Sequence, residues 1–375
     1  MTATTTARTA SPALTAELVT DETAFAGLAP AWGRLFGRCA AATPFQSHAW
    51  LYSWWLSYGR PGRLRVLVVR AGRELVAVAP LMLVRRPLPA LVPLGGAISD
   101  YTDVLLDDTD DGRAAGALTE ALADIARTAL VDFREVRPGG AVERVYDRWR
   151  GPRRTVPDSP CLELPAVPMD ELIARLPSGK SGQRVRAKLR RLTTLGVQRQ
   201  AVGPEEVDAA LGRLLALHRL QWQGRKVTSE HLQPRFQEHL VRAVGPMVRS
   251  GNAVVTEFRI DGEVVAVDLS LLSGCLAGGY LYGAHPGLRE RKADVAVMLL
   301  DACAEHTGGG ARGTLSLLRG DEPYKHHWRP ERVVNQRLLM ARGRTAPLLT
   351  AALCGATARR RGREVLHRWR ERGQD

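Results

Sequence analysis

The chain repeats one order of β-rich and helical segments, and this repeat constrains its fold more than any other feature of the sequence. Residues 65–81 and 254–269 are each rich in Val, Leu and Ala, and a glycine-containing turn interrupts each of them, a pattern typical of a β-hairpin. Both hairpins contain Glu-x-Val-Ala-Val, at Glu74–Val78 and at Glu263–Val267, 189 positions apart. The shared motif is short, so an internal duplication and a chance match between two hairpins both explain it.

The segments that follow each hairpin also correspond. In the first half, a helix is predicted from about Arg113 to Arg127 and a strand over Phe133–Val136. In the second half, a helix is predicted from about Ala293 to Glu305 and a strand over Gly313–Leu318, and apolar residues recur every three or four positions in both helices. The sequence of each half therefore predicts the same elements in the same order, namely a helix, a hairpin, a strand, a helix and a strand. The expected fold is α/β (α+β), with two tandem domains that each contain a mixed, mostly antiparallel sheet and packed helices.

Composition shifts along the chain suggest where the domains begin and end. Residues 151–168 contain five prolines, a composition typical of a linker. The predicted division is a disordered N-terminus (1–20), an N-terminal domain (21–150), this linker (151–168), a C-terminal catalytic domain (169–345) and a basic C-terminal helix (346–375).

The cysteines and the apolar runs indicate the compartment. Five cysteines are scattered without a C-x-x-C pair, which suits a reducing environment better than a disulfide framework. No apolar run approaches the ~20 residues that a membrane-spanning helix needs, and Met1–Leu18 lacks the apolar core of a signal peptide. We expect a cytoplasmic protein without stable membrane insertion.

The net charge of +14 is concentrated in two clusters, Lys180–Arg191 and Arg359–Arg372. Such clusters favour an anionic partner, either nucleic acid, a phosphorylated cofactor or a membrane surface, although an arginine-rich composition alone also produces positive charge. The first cluster is predicted to be a helix that begins at Ser181 as N-cap and stops at Gly196. Its outward face, which includes Arg184, either meets phosphate or is simply solvated.

The richest concentration of reactive side chains lies in Gly320–Pro330, which holds two carboxylates, one tyrosine, two histidines, one lysine and one tryptophan in eleven positions. Lys325 is one of only five lysines among 53 basic residues. Lysine is a compact charge whose pKa shifts readily, so it is not interchangeable with arginine. Its use here favours a functional role. The adjacent histidines His326 and His327 point apart on a helix or strand, and we expect no metal site.

This segment resembles the Tyr-Lys-Trp signature near the end of the CelD/BcsL-like acetyltransferases, a branch of the GNAT superfamily. That branch is related to the Fem peptidyltransferases, which consist of two tandem GNAT-like halves. The resemblance extends over about residues 25–335. It is carried further by Thr43-Pro44-Phe45-Gln46, by Asp100-Tyr101-Thr102-Asp103, by Arg190-Arg191-Leu192, and by His218 followed by Trp222.

The resemblance implies an N-acyltransferase that moves an acyl group, most simply acetyl, from acyl-CoA directly to a primary amine of a small molecule. GNAT folds bind the pyrophosphate of acyl-CoA where a strand leads into a helix N-terminus. Here that place corresponds to Gly283–Asp294, preceded by Tyr282. The usual Q/R-x-x-G-x-G/A fingerprint is absent, and Arg289, Arg291 and Lys292 stand there instead.

This departure leaves the acyl donor open. A Fem-like enzyme would take an aminoacyl group from tRNA, which the basic helix would also suit. A protein of another class would be a non-catalytic scaffold that binds phosphate or nucleic acid. The sequence sets neither the acceptor amine nor the oligomeric state.

Acyl transfer needs a base, an oxyanion stabiliser and a proton donor. We predict Tyr324 as the proton donor and Lys325 as the stabiliser, against the alternatives of an ordinary half-buried tyrosine and a surface lysine. Asp268 stands out of pattern in the apolar run Val264–Leu272, so it is either a buried base with a raised pKa or a strand-edge residue facing solvent. His285 is a second candidate base.

The acceptor site is predicted between the halves. The alternative for the acidic residues is that they only stabilise a turn. The alternative for the tryptophans is that they belong to the hydrophobic core. The predicted acceptor-binding residues are Asp100, Tyr101, Asp103, Trp222, Trp328 and Arg184.

Overall fold

A thirteen-stranded sheet forms the centre of the protein. The structure, a computed structural model, describes residues 12–221, 229–307 and 313–355. The strands are β1 (Leu14–Val19), β2 (Leu64–Ala71), β3 (Glu74–Val84), β4 (Ala90–Pro93), β5 (Leu105–Leu106), β6 (Leu130–Val136), β7 (Arg153–Pro165), β8 (Gln198–Ala201), β9 (Ala253–Ile260), β10 (Glu263–Leu272), β11 (Leu276–Ala284), β12 (Thr314–Arg319) and β13 (Glu331–Met340).

Helices pack against this sheet, and the bounds below are those of the described residues. They are α1 (Glu22–Gly27), α2 (Ala29–Arg38), α3 (His48–Tyr58), α4 (Arg113–Ile125), α5 (Val142–Arg148), α6 (Met169–Ala174), α7 (Gly179–Thr194), α8 (Val207–Gln221), α9 (Pro234–Arg249), α10 (Gly287–Glu290), α11 (Val295–Glu305) and α12 (346–355). None of the helices in the described ranges has the length and apolar character that crossing a bilayer would require.

The strand order confirms the predicted mixed α/β fold and shows the duplication directly. The sheet reads β1-β2-β3-β4-β6-β13 and then β7-β12-β11-β10-β9-β8, with β5 attached to β3. The second six strands repeat the first six in reverse order, as two halves related by a pseudo-twofold axis would. Both predicted hairpins are present, as β2–β3 and β9–β10. In each half one neighbouring pair is parallel, β4–β6 and β11–β12.

The two halves exchange their last strands. β7 follows the first half along the chain but pairs with β12 of the second half, while β13 follows the second half and pairs with β6 of the first. β7 and β13 also pair with each other, antiparallel, across the middle of the sheet. The predicted domain boundaries at 150, 168 and 345 remain predictions; β7 lies between the first two, and β13 ends five residues before the third.

The linker predicted at 151–168 is wrong over most of its length, because Arg153–Pro165 form β7. Prolines weaken a strand because they remove a backbone donor, and they are tolerated at irregularities. Pro157 and Pro160 pair with Gln336 and Val334, and the register between β7 and β13 shifts between those two partners. The irregularity therefore accommodates the prolines that suggested a linker.

Three further predictions of local structure need correction or lie outside the described ranges. The disorder predicted for residues 1–20 is wrong at Leu14–Val19, which pair with β2. The basic helix α7 begins two residues before the predicted cap, and Ser178 is its N-cap, accepting from the N–H of Ser181 at 3.2 Å. The predicted C-terminal helix begins as α12, but the cluster Arg359–Arg372 lies outside the described residues.

Aromatic residues fill the core of the first half. Trp32, Phe45 and Trp50 are fully buried, and Trp54 is 7% exposed. α3 packs closely against α9 of the second half, and Ser53 donates a hydrogen bond to the carbonyl of His239 at 2.9 Å. The halves therefore touch through helices as well as through exchanged strands.

Candidate active site

The parallel strands β11 and β12 separate after a short paired stretch. They pair at three positions only, from Leu276 with Thr314 to Gly278 with Ser316. β11 then continues along β10, whereas β12 bulges at Leu318, whose φ of 59° is left-handed. A cavity of about 130 Å³ lies between the separating strands, α11 and residues 324–328. The polar and aromatic residues that line it include Asp268, Tyr282, Ser316, Tyr324, Lys325 and Trp328.

Strand pairing explains why residues far apart in sequence meet here. Asp268 of β10 and Tyr282 of β11 are direct cross-strand partners, so their side chains project from the same face of the sheet. The cavity lies on that face. The Tyr282 hydroxyl accepts a hydrogen bond from Gln221 of α8 at 3.0 Å, which fixes the ring at the cavity wall.

Asp268 is a buried carboxyl with few polar contacts to offset the loss of its hydration. It is 3% exposed, and its hydrogen bond comes from the Ser270 hydroxyl at 2.7 Å. Burial raises the pKa of Asp268 from 3.8 to about 7, although the Ser270 bond lowers it. Desolvation disfavours the charged form of a carboxyl. An acid with this pKa can both accept and release a proton near neutral pH, as a general base requires.

Lys325 is held with its amine at the cavity. The residue is 7% exposed, and its Nζ lies 2.8 Å from Glu322 Oε2 and donates to the Arg319 carbonyl at 3.1 Å. An ammonium has three N–H donors. Two are used by these contacts, and the third has no partner within the described ranges. Lys325 can therefore donate to an anionic oxygen in the cavity.

Tyr324 forms the outer part of the cavity wall and is 59% exposed, so it can contact a bound substrate. Packing of its inner face raises the pKa of Tyr324 to about 12, and the neighbouring Glu322 carboxylate contributes to the rise. The phenol keeps its proton at neutral pH and can give it to a leaving group. Trp328, 8% exposed, closes the cavity from below with the apolar residues of α11.

Two other side chains in the cavity carry nucleophilic atoms, and neither is activated. Burial raises the pKa of Cys303 to about 12, so its sulfur stays protonated, and a thiol is far less nucleophilic than a thiolate. The Ser316 hydroxyl shares a hydrogen bond of 2.9 Å with Tyr101, whose own pKa burial raises well above 10. A phenol of that kind does not act as a base toward serine. The cavity therefore favours direct transfer over a covalent enzyme intermediate.

A charged network links this cavity to the first half. Asp100 pairs with Arg319 at 2.7 Å, and Arg319 also contacts Glu135 at 3.2 Å. Burial raises the pKa of Asp100, while Arg319 and Lys325 lower it. Since the Arg319 carbonyl accepts from Lys325, Asp100 and Lys325 belong to one connected network. Tyr101 thus contacts the cavity residue Ser316 and Asp100 is joined to Lys325 through Arg319, although neither residue is itself among those that line the cavity.

Asp103 does not take part in this network, and its contacts lend no support to the predicted role in binding the acceptor. Its carboxylate accepts from the backbone N–H groups of Val104 at 2.8 Å and of Ala141 and Val142 at 2.7 Å each. These bonds fix the start of α5 against the strand region of the first half. Burial raises the pKa of Asp103 to about 7, and the backbone bonds lower it. The residue is therefore structural.

The start of α11 differs from an open phosphate-binding corner. Asp294 is the N-cap, and it accepts from the Val297 N–H at 3.0 Å while its other oxygen lies 2.7 Å from Lys188 of α7. A carboxylate thus occupies the place where a helix N-terminus would otherwise attract an anion. Exposed basic residues surround this corner. They are Arg289, Arg291 and Lys292. Among the described residues, no carboxylate oxygen lies within 4.0 Å of their side-chain nitrogens.

Residues 179–326 match the protein family described as "Acetyltransferase (GNAT) domain". The matched residues lie in the second half and include β9–β12, α11 and residues 324–326 of the cavity. No curated protein sequence matches this chain. Solved structures share its fold. FemX has 11% identity and a TM-score of 0.58, and the match covers 84% of this chain and 97% of FemX. The C-terminal domain (DUF2156) of a putative lysylphosphatidylglycerol synthetase from Agrobacterium fabrum has 14% identity and TM-score 0.55, over 89% of this chain and 96% of that one.

L-PGS from Bacillus licheniformis is similar over the same shares of both chains, at 13% identity and TM-score 0.54. These structures match across nearly the whole chain, so the fold of both halves together is one that solved structures share, FemX among them. GNAT domains generally use acyl-CoA.

The structure places His285 and Arg184 outside the cavity. His285 is exposed beyond the end of β11, and its Nδ1 accepts from the Gly287 N–H at 3.1 Å, so it does not face the other candidate groups. Arg184 is exposed on α7. Arg191, on the same helix, donates to the Arg291 carbonyl at 3.0 Å. Trp222 lies outside the described residues.

Sequence reasoning missed Arg319, Ser316 and Cys303. Arg319 immediately precedes the Gly320–Pro330 segment, and this position next to the segment could have marked it as a candidate site residue. Cys303 lies seven positions after Ala296, another cavity residue, so helical spacing places both on one face of α11. Ser316 has no local signal, because its function depends on a contact with Tyr101 from the other half.

Proposed function

We propose that this protein transfers an acyl group from acyl-CoA directly to a primary amine of a small-molecule acceptor. The observation that carries the proposal is the convergence of Asp268, Tyr324 and Lys325 on one cavity at the opening between β11 and β12. These three groups supply the base, the proton donor and the cation that acyl transfer needs. Four other cavities of the described residues lack this combination of a carboxyl, a tyrosine and a lysine.

In the proposed reaction, the acceptor nitrogen attacks the thioester carbonyl carbon and loses a proton to the Asp268 carboxylate. Lys325 stabilises the oxygen anion of the tetrahedral intermediate with its remaining N–H. The intermediate collapses, the carbon–sulfur bond breaks, and Tyr324 gives its proton to the departing sulfur. The amide and free CoA are the products, and solvent returns the proton from Asp268 to Tyr324.

The acceptor would enter from the first half, past Asp100 and Tyr101, with Trp328 as the far wall. The pyrophosphate of the donor would be held by Arg289, Arg291 and Lys292, with Tyr282 beside the thioester. All five cysteines are unpaired, which suits a reducing cytoplasm. Membership of the CelD/BcsL-like branch is part of this proposal.

A specific observation favours a second candidate, aminoacyl transfer from tRNA. Because Asp294 caps α11, the helix N-terminus offers less to a pyrophosphate than an open glycine loop would. The exposed basic side chains of α7 and the α10 corner instead present separate charges over a wide surface. A phosphodiester backbone is recognised in that way.

One experiment separates the candidates. The purified protein is offered acetyl-CoA, a longer acyl-CoA and charged tRNA, each with a panel of primary amines, and acyl transfer is followed by mass spectrometry. Transfer from a CoA thioester supports the first candidate, and transfer from tRNA that weakens steeply with salt supports the second. Lys325→Ala should lower the rate about 10²-fold or more, whereas Arg60→Ala, an exposed site in the first half, should not. An equal rate in wild type and a folded Lys325→Ala variant would refute the proposed site.

A further inference from the structure

A second cavity lies in the first half, at the position that corresponds to the candidate active site. It measures about 480 Å³ and lies between α4 and the segment that joins α5 to β7. Four α4 residues line it, and each precedes by 180 positions an α11 residue that lines the active-site cavity. The pairs are Gly116 and Ala296, Thr119 and Leu299, Glu120 and Leu300, and Ala123 and Cys303. The same face of two equivalent helices therefore borders a cavity in each half.

The chemistry of the two cavities differs. The active-site cavity carries one buried carboxyl and one lysine, whereas the cavity of the first half carries three arginines, Arg148, Arg150 and Arg342, and one acidic residue, Glu120. Within the described ranges, no carboxylate lies within 4.0 Å of Arg148 or Arg150. Arg342 lies 3.7 Å from Asp124 of α4, so two of the three arginines are without an acidic neighbour in this part of the chain and the lining keeps a positive excess.

The walls that carry the arginines are fixed against each other. The Trp149 indole N–H donates to the Ala341 carbonyl at 2.8 Å, and the Ala341 N–H donates to the Pro152 carbonyl at 2.8 Å. Gly151 lies so close that a Cβ there would be 2.0 Å from the Ala341 oxygen. Two segments almost 190 positions apart in sequence are thus joined through their backbones. This arrangement holds Arg148 and Arg150 beside Arg342.

Two of the guanidinium groups are also anchored. Arg148 Nη1 donates to the Arg144 carbonyl at 3.0 Å, and Arg342 Nη1 donates to the Ala123 carbonyl at 2.8 Å. A guanidinium has five N–H donors, so these bonds set its position and leave donors for a ligand. Pre-positioned arginines are suited to bidentate contact with phosphate.

We propose that this cavity binds a phosphorylated small molecule, at a site separate from the transfer site. The ligand class follows from the three arginines and from a volume that fits a nucleotide-sized phosphate ester. Adenosine diphosphate and inorganic pyrophosphate are the two probes. Equal affinity for both would assign recognition to the phosphate groups alone, and tighter binding of adenosine diphosphate would add the nucleoside; both results support the site.

The test is calorimetric titration of the full-length protein with each probe. Two perturbations should weaken binding at least tenfold. The first is Arg148→Ala with Arg150→Ala, which removes two charges from the cavity. The second is Gly116→Leu, which fills it. No heavy atom lies within 4 Å of a Cβ at Gly116, and Leu favours a helix more than Gly does, so this variant should fold with an undiminished melting temperature.

Two controls complete the test. Arg60→Ala with Arg73→Ala removes two exposed charges elsewhere and should leave the affinity unchanged, as should Lys325→Ala in the transfer site. The inference is overturned if the wild-type protein binds neither probe. It is overturned equally if folded Gly116→Leu and the Arg148/Arg150 variant bind as the wild type does, or if Lys325→Ala abolishes binding.

Discussion

Replacing Asp268 by asparagine should stabilise the protein at alkaline pH and remove its activity. Burial raises the pKa of this carboxyl from 3.8 to about 7. The folded state therefore binds the proton more tightly than the unfolded chain, and the free energy of unfolding falls as pH rises between these values. At 1.36 kcal/mol per pKa unit, the loss above pH 7 is about 4 kcal/mol. Asparagine does not ionise, so Asp268→Asn escapes this loss.

The magnitude can be measured as a difference between two pH values. At pH 5 the wild type has lost about 2 kcal/mol through Asp268 and at pH 8 about 4 kcal/mol, from the same linkage relation. The stability of Asp268→Asn relative to the wild type should therefore increase by roughly 2–3 kcal/mol from pH 5 to pH 8. Urea unfolding at both pH values measures it. The pKa of Asp103 is also raised to about 7, but that group is present in both proteins and cancels.

The exposed Asp111→Asn is the matched control, and its stability relative to the wild type should not change between the two pH values. The catalytic rate of Asp268→Asn should fall about 10²–10⁴-fold, the range for loss of a general base. A gain in stability with a loss of activity is the expected signature of a strained functional group. If the difference in stability between Asp268→Asn and the wild type were the same at pH 5 and pH 8, the carboxyl would not be the buried, titrating group described here.

Three further outcomes follow from the same structure. The kcat/KM of acyl transfer should rise with pH to a half-maximum near pH 7, because Asp268 must lose its proton to act as base; a midpoint near pH 4 would contradict this assignment. Tyr324→Phe should lower kcat about 10²-fold at pH 7, where Tyr324, with a pKa of about 12, still holds its proton; an unchanged kcat would show that the leaving group takes its proton elsewhere. Asp103→Ala leaves three backbone N–H groups without their acceptor and should lower the free energy of unfolding by about 2–4 kcal/mol, with kcat/KM of the folded protein unchanged; a reduced kcat/KM would return Asp103 to the acceptor site.

Local patterns in the sequence predicted the elements and part of the cavity. The hairpins β2–β3 and β9–β10 were predictable because strand alternation and glycine turns act over a few residues. Lys325 and Tyr324 are neighbours in the chain, so one unusual segment indicated both. Asp268 could be singled out because a carboxylate in an apolar strand must be either exposed or perturbed.

Contacts between distant segments were not predictable in this way. The exchange of β7 and β13 depends on which strand edge each one meets, and the prolines of β7 suggested a linker instead. Asp100 and Asp103 are three positions apart and chemically identical, yet one pairs with Arg319 and the other caps α5. Which residue faces the cavity is decided by the partners that the folded chain brings to it.

The exchanged strands have a consequence for how this molecule folds during synthesis. With β13 absent, β6 would present a bare row of backbone N–H and C=O groups, and β12 would do so without β7. When a ribosome has added residue 168, the first half still lacks the strand that pairs with β6, because that strand is complete only at residue 340. Each half therefore depends on the other for one interior strand of the sheet, and neither half of the sheet is complete until both halves have been made.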